Sequence, residues 1–197
     1  MQNNSEQDTP LVWTIPEEFP EALIGNYDRK RSPDRFEYRK GQPVEASLGT
    51  PVFVFSGCLE DLLEWDVLPN DAQLPLVNGK VAELLTREAG ADVQLLAAIV
   101  EHQGGAANDH WKLLNITRAV QAIDHAASKY SLIDGTRQIL RFDKLRYRSG
   151  ALGDVKIARD AEYKSHILVS HSLADALIAS KARGLALSGP EDMEAGA

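Results

Sequence analysis

The chain has 197 residues, 44% of them hydrophobic and 25% charged, with a formal net charge of −8 and a single cysteine. That length fits one domain, or one domain with an appended N-terminal segment, and the composition is that of a globular chain able to bury a sizeable core. The acidic balance argues against nucleic acid as a partner, a lone Cys58 makes neither an internal disulfide nor a metal site by itself, and no apolar run approaches the roughly 20 residues that cross a bilayer.

The opening MQNNSEQDTP is polar and lacks a basic region, so it reads as a disordered start rather than a secretion signal, in a soluble, cytoplasmic protein. Residues 11–24 mix apolar residues with prolines, and Val12, Trp13 and Ile15 are placed to add an extended segment to a sheet. Residues 25–47 set basic residues among Tyr27, Phe36 and Tyr38, a pattern that can bind single-stranded nucleic acid. Asp28, Asp34 and Glu37 interrupt it, and a solvated, poorly structured loop is the expected reading. Residues 1–49 are thus expected to be a partly disordered N-terminal extension, 50–188 the folded domain and 189–197 a tail.

PVFVF at 51–55 has the β-branched and aromatic content of a short buried strand. LEDLLEWDVL at 59–68 reads as a helix with Leu59, Leu62 and Leu63 on one side and Glu60, Asp61, Glu64 and Asp66 around Trp65 on the other. First-turn acids suit the helix dipole, but those further along need another reason. These five residues are the candidate partner-binding patch, the alternative being a core Trp65 with solvated acids. Leu76 and Val77 end an extended piece, Asn78 caps a helix carrying Val81, Leu84 and Leu85, and Gly90 stops it. VQLLAAIV at 93–100 is expected as a central strand, with Trp111–Ile116 returning antiparallel to it.

A helix is expected to start near Thr117, because Ala119, Val120, Ile123, Ala126 and Ala127 fall at helical spacing. Residues 137–147 are strand-like with Ile139, Leu140 and Phe142 buried, 149–165 are a charged connection, and His166–Val169 is another strand. Ser172 and Asp175 form a capping box for a helix over 173–182, with Leu173, Leu177 and Ile178 facing inward. Gly184 and a closing strand at Leu185–Leu187 follow. LVNGKVAELL (76–85) and LVSHSLADAL (168–177) share their order of apolar pair, cap, helix start and terminal Leu. Generic helix-start chemistry accounts for much of the match, and the alternative is two copies of one strand–cap–helix–Gly–strand unit. The fold class is α+β, a mostly antiparallel sheet with packed helices.

Charge is unevenly distributed: residues 45–109 hold eleven carboxylates against Lys80 and Arg87, and residues 110–186 hold thirteen Lys and Arg against seven Asp and Glu. Either folding interleaves the halves, or an acidic face remains that steers a basic partner. Signatures of a nucleophile elbow, a phosphate loop, a zinc helix and a dinucleotide fingerprint are all missing, and the histidines have no metal-ligand spacing. No metal or cofactor is implied, and Cys58 reads as a small buried thiol.

The segments 76–101, 111–130 (WKLLNITRAVQAIDHAASKY), 139–145 (ILRFDKL) and 167–187 (ILVSHSLADALIASKARGLAL) carry Leu113-Leu114-Asn115, Asp124, Ser128, Val169-Ser170 and Gly184-Leu185 in fixed order. Over roughly residues 50–188 this pattern resembles a family of bacterial immunity proteins from polymorphic toxin systems. The resemblance marks Asn115, Asp124, Ser128, Ser170 and Gly184 as structural positions. It implies a non-enzymatic inhibitor that binds a cognate toxin domain in the producing cell, and the acidic charge suits a basic, nuclease-like toxin. Two other classes fit a motif-poor chain: an adaptor within a secretion apparatus, and a small enzyme with a scattered site at Asp124, His125 and Ser128.

Overall fold

The computed structural model describes residues 8–107 and 109–193, and its architecture is mixed α+β, 22% helical and 34% strand, with mostly antiparallel sheets. Three sheets and a separate hairpin enclose three hydrophobic cores.

The middle sheet has the order Val67–Leu68, Leu76–Asn78, Trp111–Ile116, Val93–Ala97, antiparallel throughout. Its side chains alternate between two cores as the pleat requires. Leu68, Leu76, Trp111, Leu113 and Leu96 enter the first core, and Val67, Val77, Leu114, Ile116 and Leu95 enter the second. A second sheet, Asn26–Tyr27, Val52–Cys58, Ile99–Gln103 and Gly105–Ala106, closes the first core with Tyr27, Phe53, Phe55 and Val100. The third sheet has five strands in the order Ala119–Val120, Ile157–Asp160, Ile167–Val169, Leu11–Thr14, Ala186–Ser188. It too is covered on both faces, with Ile157, Ile167 and Val169 in the second core and Val12, Ala158 and Leu168 in the third.

The internal similarity is realised as geometry. Leu76–Asn78 leads through the helix Gly79–Ala89 to Val93–Ala97, and these two strands flank Trp111–Ile116, each antiparallel to it. Ile167–Val169 leads through the helix His171–Ala179 to Ala186–Ser188, and these two strands flank Leu11–Thr14 in the same way. Each unit is a split strand–helix–strand with an antiparallel strand inserted. Asn78 and Ser170 cap the two helices, accepting from the backbone N–H groups of Val81 and Leu173. The helices meet in the second core through Val81, Leu84, Leu85, Leu173, Ala174 and Leu177.

Several expectations are corrected. No helix follows Thr117. Thr117 donates its N–H to Asp92 O and its hydroxyl to Ala91 O, Ala119–Val120 pairs in parallel with Arg159–Asp160, and Ala122 N–H binds the Asp160 carboxylate. These long-range partners take the donors a helix would have used, and the supposed stripe is broken because Ala119 and Ala126 are exposed. The run 93–100 is not one central strand: it splits at Ala98 and feeds two sheets, with Val93–Ala97 at the edge of the middle one. The helix at 59 ends at Leu63, because Asp66 and Val67 turn to pair with Arg183 O and with the strand at 76–78. Ser170 rather than Ser172 caps the later helix, and Leu140 and Ile178 are exposed. The connection at 149–165 contains a fully buried strand, Ile157–Asp160.

The segment 25–47 is packed rather than loose. Tyr27 and Tyr38 are buried, their hydroxyls donating to Pro33 O (2.6 Å) and Gly49 O (3.2 Å), and Arg39 reaches Ser165 Oγ at 2.7 Å. Residues 1–7 of the expected disordered start, and 194–197 of the tail, lie outside the described residues, while Thr9 O accepts from His171 Nε2 and Pro10 is buried. Cys58 is half-buried, its thiol 3.0 Å from Asp61 Oδ2, which pushes its pKa up. None of the described helices is long and apolar enough to cross a membrane.

Gly184 joins the second helix to its closing strand at φ +94°, and a Cβ there would lie 2.1 Å from Val67 O. Gly184→Ala should cost at least about 1–3 kcal/mol and lower the melting temperature by roughly 5–10 °C. Gly79→Ala, where a Cβ meets nothing within 4 Å, should leave it unchanged or slightly raised. Equal melting temperatures for the two variants would contradict this account of the junction.

Candidate functional site

The five candidate partner-binding residues have different fates. Glu60, Asp61 and Glu64 are exposed, but Trp65 is only 6% exposed. Its ring packs 4.6 Å from Phe19, and the Arg183 guanidinium lies 4.5 Å over it. Trp65 is therefore a core residue and not an exposed anchor. Asp66 is spent on the fold. Its carboxylate accepts from Asn78 Nδ2 (2.8 Å), Lys80 Nζ (3.1 Å) and Arg183 N (2.8 Å), tying the turn after the first helix to the start of the helix Gly79–Ala89 and to the turn that follows the helix His171–Ala179. Burial raises its pKa, but these hydrogen bonds outweigh burial and hold it below the usual carboxylate range. Asp61 accepts from the Cys58 thiol and N–H, which likewise lowers its pKa.

The acidic surface is wider than the sequence segment. Phe19 lies on Trp65, and Ser56 Oγ donates to Ala22 O, so the stretch carrying exposed Glu17, Glu18 and Glu21 lies against the strand and helix that bear Glu60 and Glu64. The acids of Pro16-Glu17-Glu18-Phe19-Pro20-Glu21 are the sequence signal for it, just beyond the residues Val12, Trp13 and Ile15 expected to extend a sheet.

The five marker positions all act on backbone or on buried polar groups. Asn115 is fully buried in the middle sheet and donates to Gln42 O and Gln94 Oε1, while Gln94 in turn holds both backbone groups of Val44. Asp124 Oδ1 accepts from the N–H groups of Ala126 and Ala127, and Ser128 exchanges hydrogen bonds with Arg146 N and O. Ser170 is the helix cap, and Gly184 makes the close approach to Val67. The scattered enzyme site is not assembled: Asp124 and Ser128 turn to backbone, and His125 instead meets Tyr130 and Glu162 on the surface.

Sequence reasoning missed a buried polar cluster. Arg159 is fully buried in its strand and donates to Lys164 O (2.9 Å) and Gln73 O (3.0 Å), and burial works against its charged form. Asp160, on the opposite face, holds the N–H groups of Glu162, Tyr163 and Ala122. His166 shares a 2.7 Å hydrogen bond with Tyr147. Reading 149–165 as a connection hides Arg159 and Asp160, since charge is taken there as a sign of exposure. Beside them opens a cavity of about 500 Å³, walled by Trp13, Leu74, Phe142, Tyr163, Ile167 and Met193, with no carboxylate in its lining. Ser165 Oγ there is held by Arg39, and His166 by Tyr147.

An α+β frame whose marker residues all serve backbone, and which leaves an acidic face outward, is of the kind the immunity resemblance implies. The profile of the Imm11 immunity protein family matches residues 3–191, nearly the whole chain. The chain belongs to the Imm11 immunity protein family. No curated protein matches it. Membership carries a role in toxin immunity.

Burial lowers the His166 pKa from 6.5 to about 4, so the folded protein holds it neutral. As pH falls below 6.5 the unfolded chain takes up a proton that the folded one refuses, and stability declines until about pH 4, in all by about 3 kcal/mol at 1.36 kcal/mol per pH unit. Denaturant unfolding of His166→Gln should show a correspondingly flatter pH dependence between 6.5 and 4 than the parent protein. Parallel curves would contradict the assignment.

Proposed function

We propose that this chain is the immunity partner of a toxin made by the same cell within a polymorphic toxin system, acting in the cytoplasm by binding the toxin domain and covering its working surface, without turnover. The observation that carries this reading is the Imm11 match over residues 3–191. The polar groups the family pattern marks hold the frame: Asn115, Asp124, Ser128 and Ser170 all bond to backbone.

The surface favoured for steering the partner is the acidic face built from Glu17, Glu18, Glu21, Glu60 and Glu64. With a net charge of −8 behind it, this face suits a basic, nuclease-like toxin, because opposed fields raise association rates and align the encounter. Arg183 is the basic residue placed within it, 3.7 Å from Glu64. A rim of exposed carboxylates contributes to association speed more than to the lifetime of the complex.

Co-expression with the toxin encoded beside this gene should restore growth, and equal killing with and without the chain would overturn the immunity reading. With the purified toxin domain, the double reversal Glu60→Lys, Glu64→Lys should slow association by roughly tenfold at low salt. The difference should shrink toward physiological ionic strength, where the screening length is about 8 Å. Unchanged association rates at low salt would remove this face from the encounter.

A further inference from the structure

The cavity of about 500 Å³ lies where the three cores meet: Leu74 belongs to the first, Trp13 and Ile167 to the second, and Phe142 and Met193 to the third. Its apolar wall is a row across the five-stranded sheet. Ile167 is paired with Arg159, so the pleat puts both side chains on one face, the face that also carries Trp13. Trp13 and Ile167 line the cavity, and Arg159 continues the row behind them. The volume falls within the roughly 300–1,000 Å³ of small-molecule sites.

The polar wall is electropositive. One guanidinium, that of Arg159, donates to Lys164 O and to Gln73 O, so Gln73 and Ser165 line the same part of the cavity. Ser165 Oγ accepts from Arg39 Nη2 at 2.7 Å. Arg39 is 9% exposed and Arg159 wholly buried, and the Nε of each has no hydrogen-bond partner among the described residues. Every partner that the two guanidiniums do have there is a neutral oxygen. Burial and the nearby Arg39 push Arg159 down to about 9, which leaves it charged at neutral pH. Arg141, the one charged side chain in the lining, adds a third cation, 3.5 Å from Asp143. Because Ser165 Oγ accepts from Arg39, its own proton is left to donate. The Tyr163 hydroxyl, on the same wall, is a second donor without a partner among the described residues. Hydroxyl donors backed by buried cations, in apolar surroundings, favour a negative group and oppose a positive one.

We propose that this cavity binds a small amphiphilic carboxylate, its hydrocarbon part lying along Trp13, Ile167, Leu74 and Phe142 and its carboxylate at Ser165, in the field of Arg39 and Arg159. A neutral apolar molecule would fill the same walls but leave the donors and cations unanswered. The inference does not rest on the immunity reading.

The test titrates the full chain calorimetrically with octanoate, octanol and octylamine, which share a hydrocarbon tail and differ in charge. Octanoate should bind at least about tenfold more tightly than octanol, as a charge-assisted hydrogen bond implies, and octylamine should give no heat of binding. Saturating octanoate should raise the melting temperature, whereas acetate, the charge without the hydrocarbon, should not. Hydrogen exchange should show protection by octanoate at 69–75 and 163–167. Arg39→Gln, which keeps a donor for Ser165 and removes the charge, should bring octanoate to within about threefold of octanol. The probe series is read on the unaltered chain, so it does not depend on that variant folding. No binding, equal binding of the three probes, the same effect from acetate, or protection elsewhere would overturn the assignment. Protection of 69–75 and 163–167 by a toxin domain, with octanoate inert, would give the cavity to a toxin side chain and overturn it too.

Discussion

The strand Trp111–Ile116 is buried on both faces, and the rest of the molecule is arranged to satisfy it. Trp111 and Leu113 point into one core and Leu114 and Ile116 into the other, so each face needs its own covering layer. The first is supplied by the sheet built on Val52–Cys58, the second by the two capped helices and the five-stranded sheet. A one-residue slip would exchange every one of these side chains between cores, so the register is strongly specified. Asn115 stands among the apolar residues facing the first core, and its amide secures the Gln42–Val44 stretch through Gln94. The strand therefore also fixes where the segment 25–44 lies.

Two buried arginines extend this frame across the chain. Arg39 joins that early segment to Ser165, and Arg159 joins the five-stranded sheet to the turn at Gln73, whose backbone is held in the left-handed region at φ 56°. Both guanidiniums are held by neutral oxygens. A buried charge without a counterion is costly, and it is tolerated where its hydrogen bonds fix the relative placement of segments far apart in sequence. Asp66 and Asp92 play the complementary role with carboxylates. Asp92 holds Lys156 N–H at 2.8 Å and Arg118 Nε at 3.1 Å, next to the place where the chain enters its third sheet.

What could be read from the residues was what local chemistry dictates. The caps at Asn78 and the stops at Gly90 and Gly184 follow from backbone rules, and the paired units 76–97 and 167–188 repeat those rules in order. The antiparallel return of Trp111–Ile116 followed from burial pattern and separation. The misreadings share one cause: long-range partners overrode a local period. The apolar spacing after Thr117 fits a helix, yet Asp92, Asp160 and the strand at 157–160 claim its backbone donors. Trp65 looked like a surface aromatic among acids until Phe19, forty-six positions earlier, covered it. Arg159 and Asp160 carried no local sign of burial.

In the proposed function the acidic face around Glu60 and Glu64 acts at a distance and loses reach in salt. Behind it lies a frame whose marker residues are committed to its own backbone. The proposed occlusion takes one molecule of this chain for each toxin domain. The most direct measurement is a titration of a fixed, micromolar amount of toxin domain with this chain, following residual toxin activity. Occlusion without turnover predicts a linear fall that reaches zero at one equivalent. Loss of all activity at a small fraction of an equivalent would show that the chain acts catalytically on its target and would contradict the account.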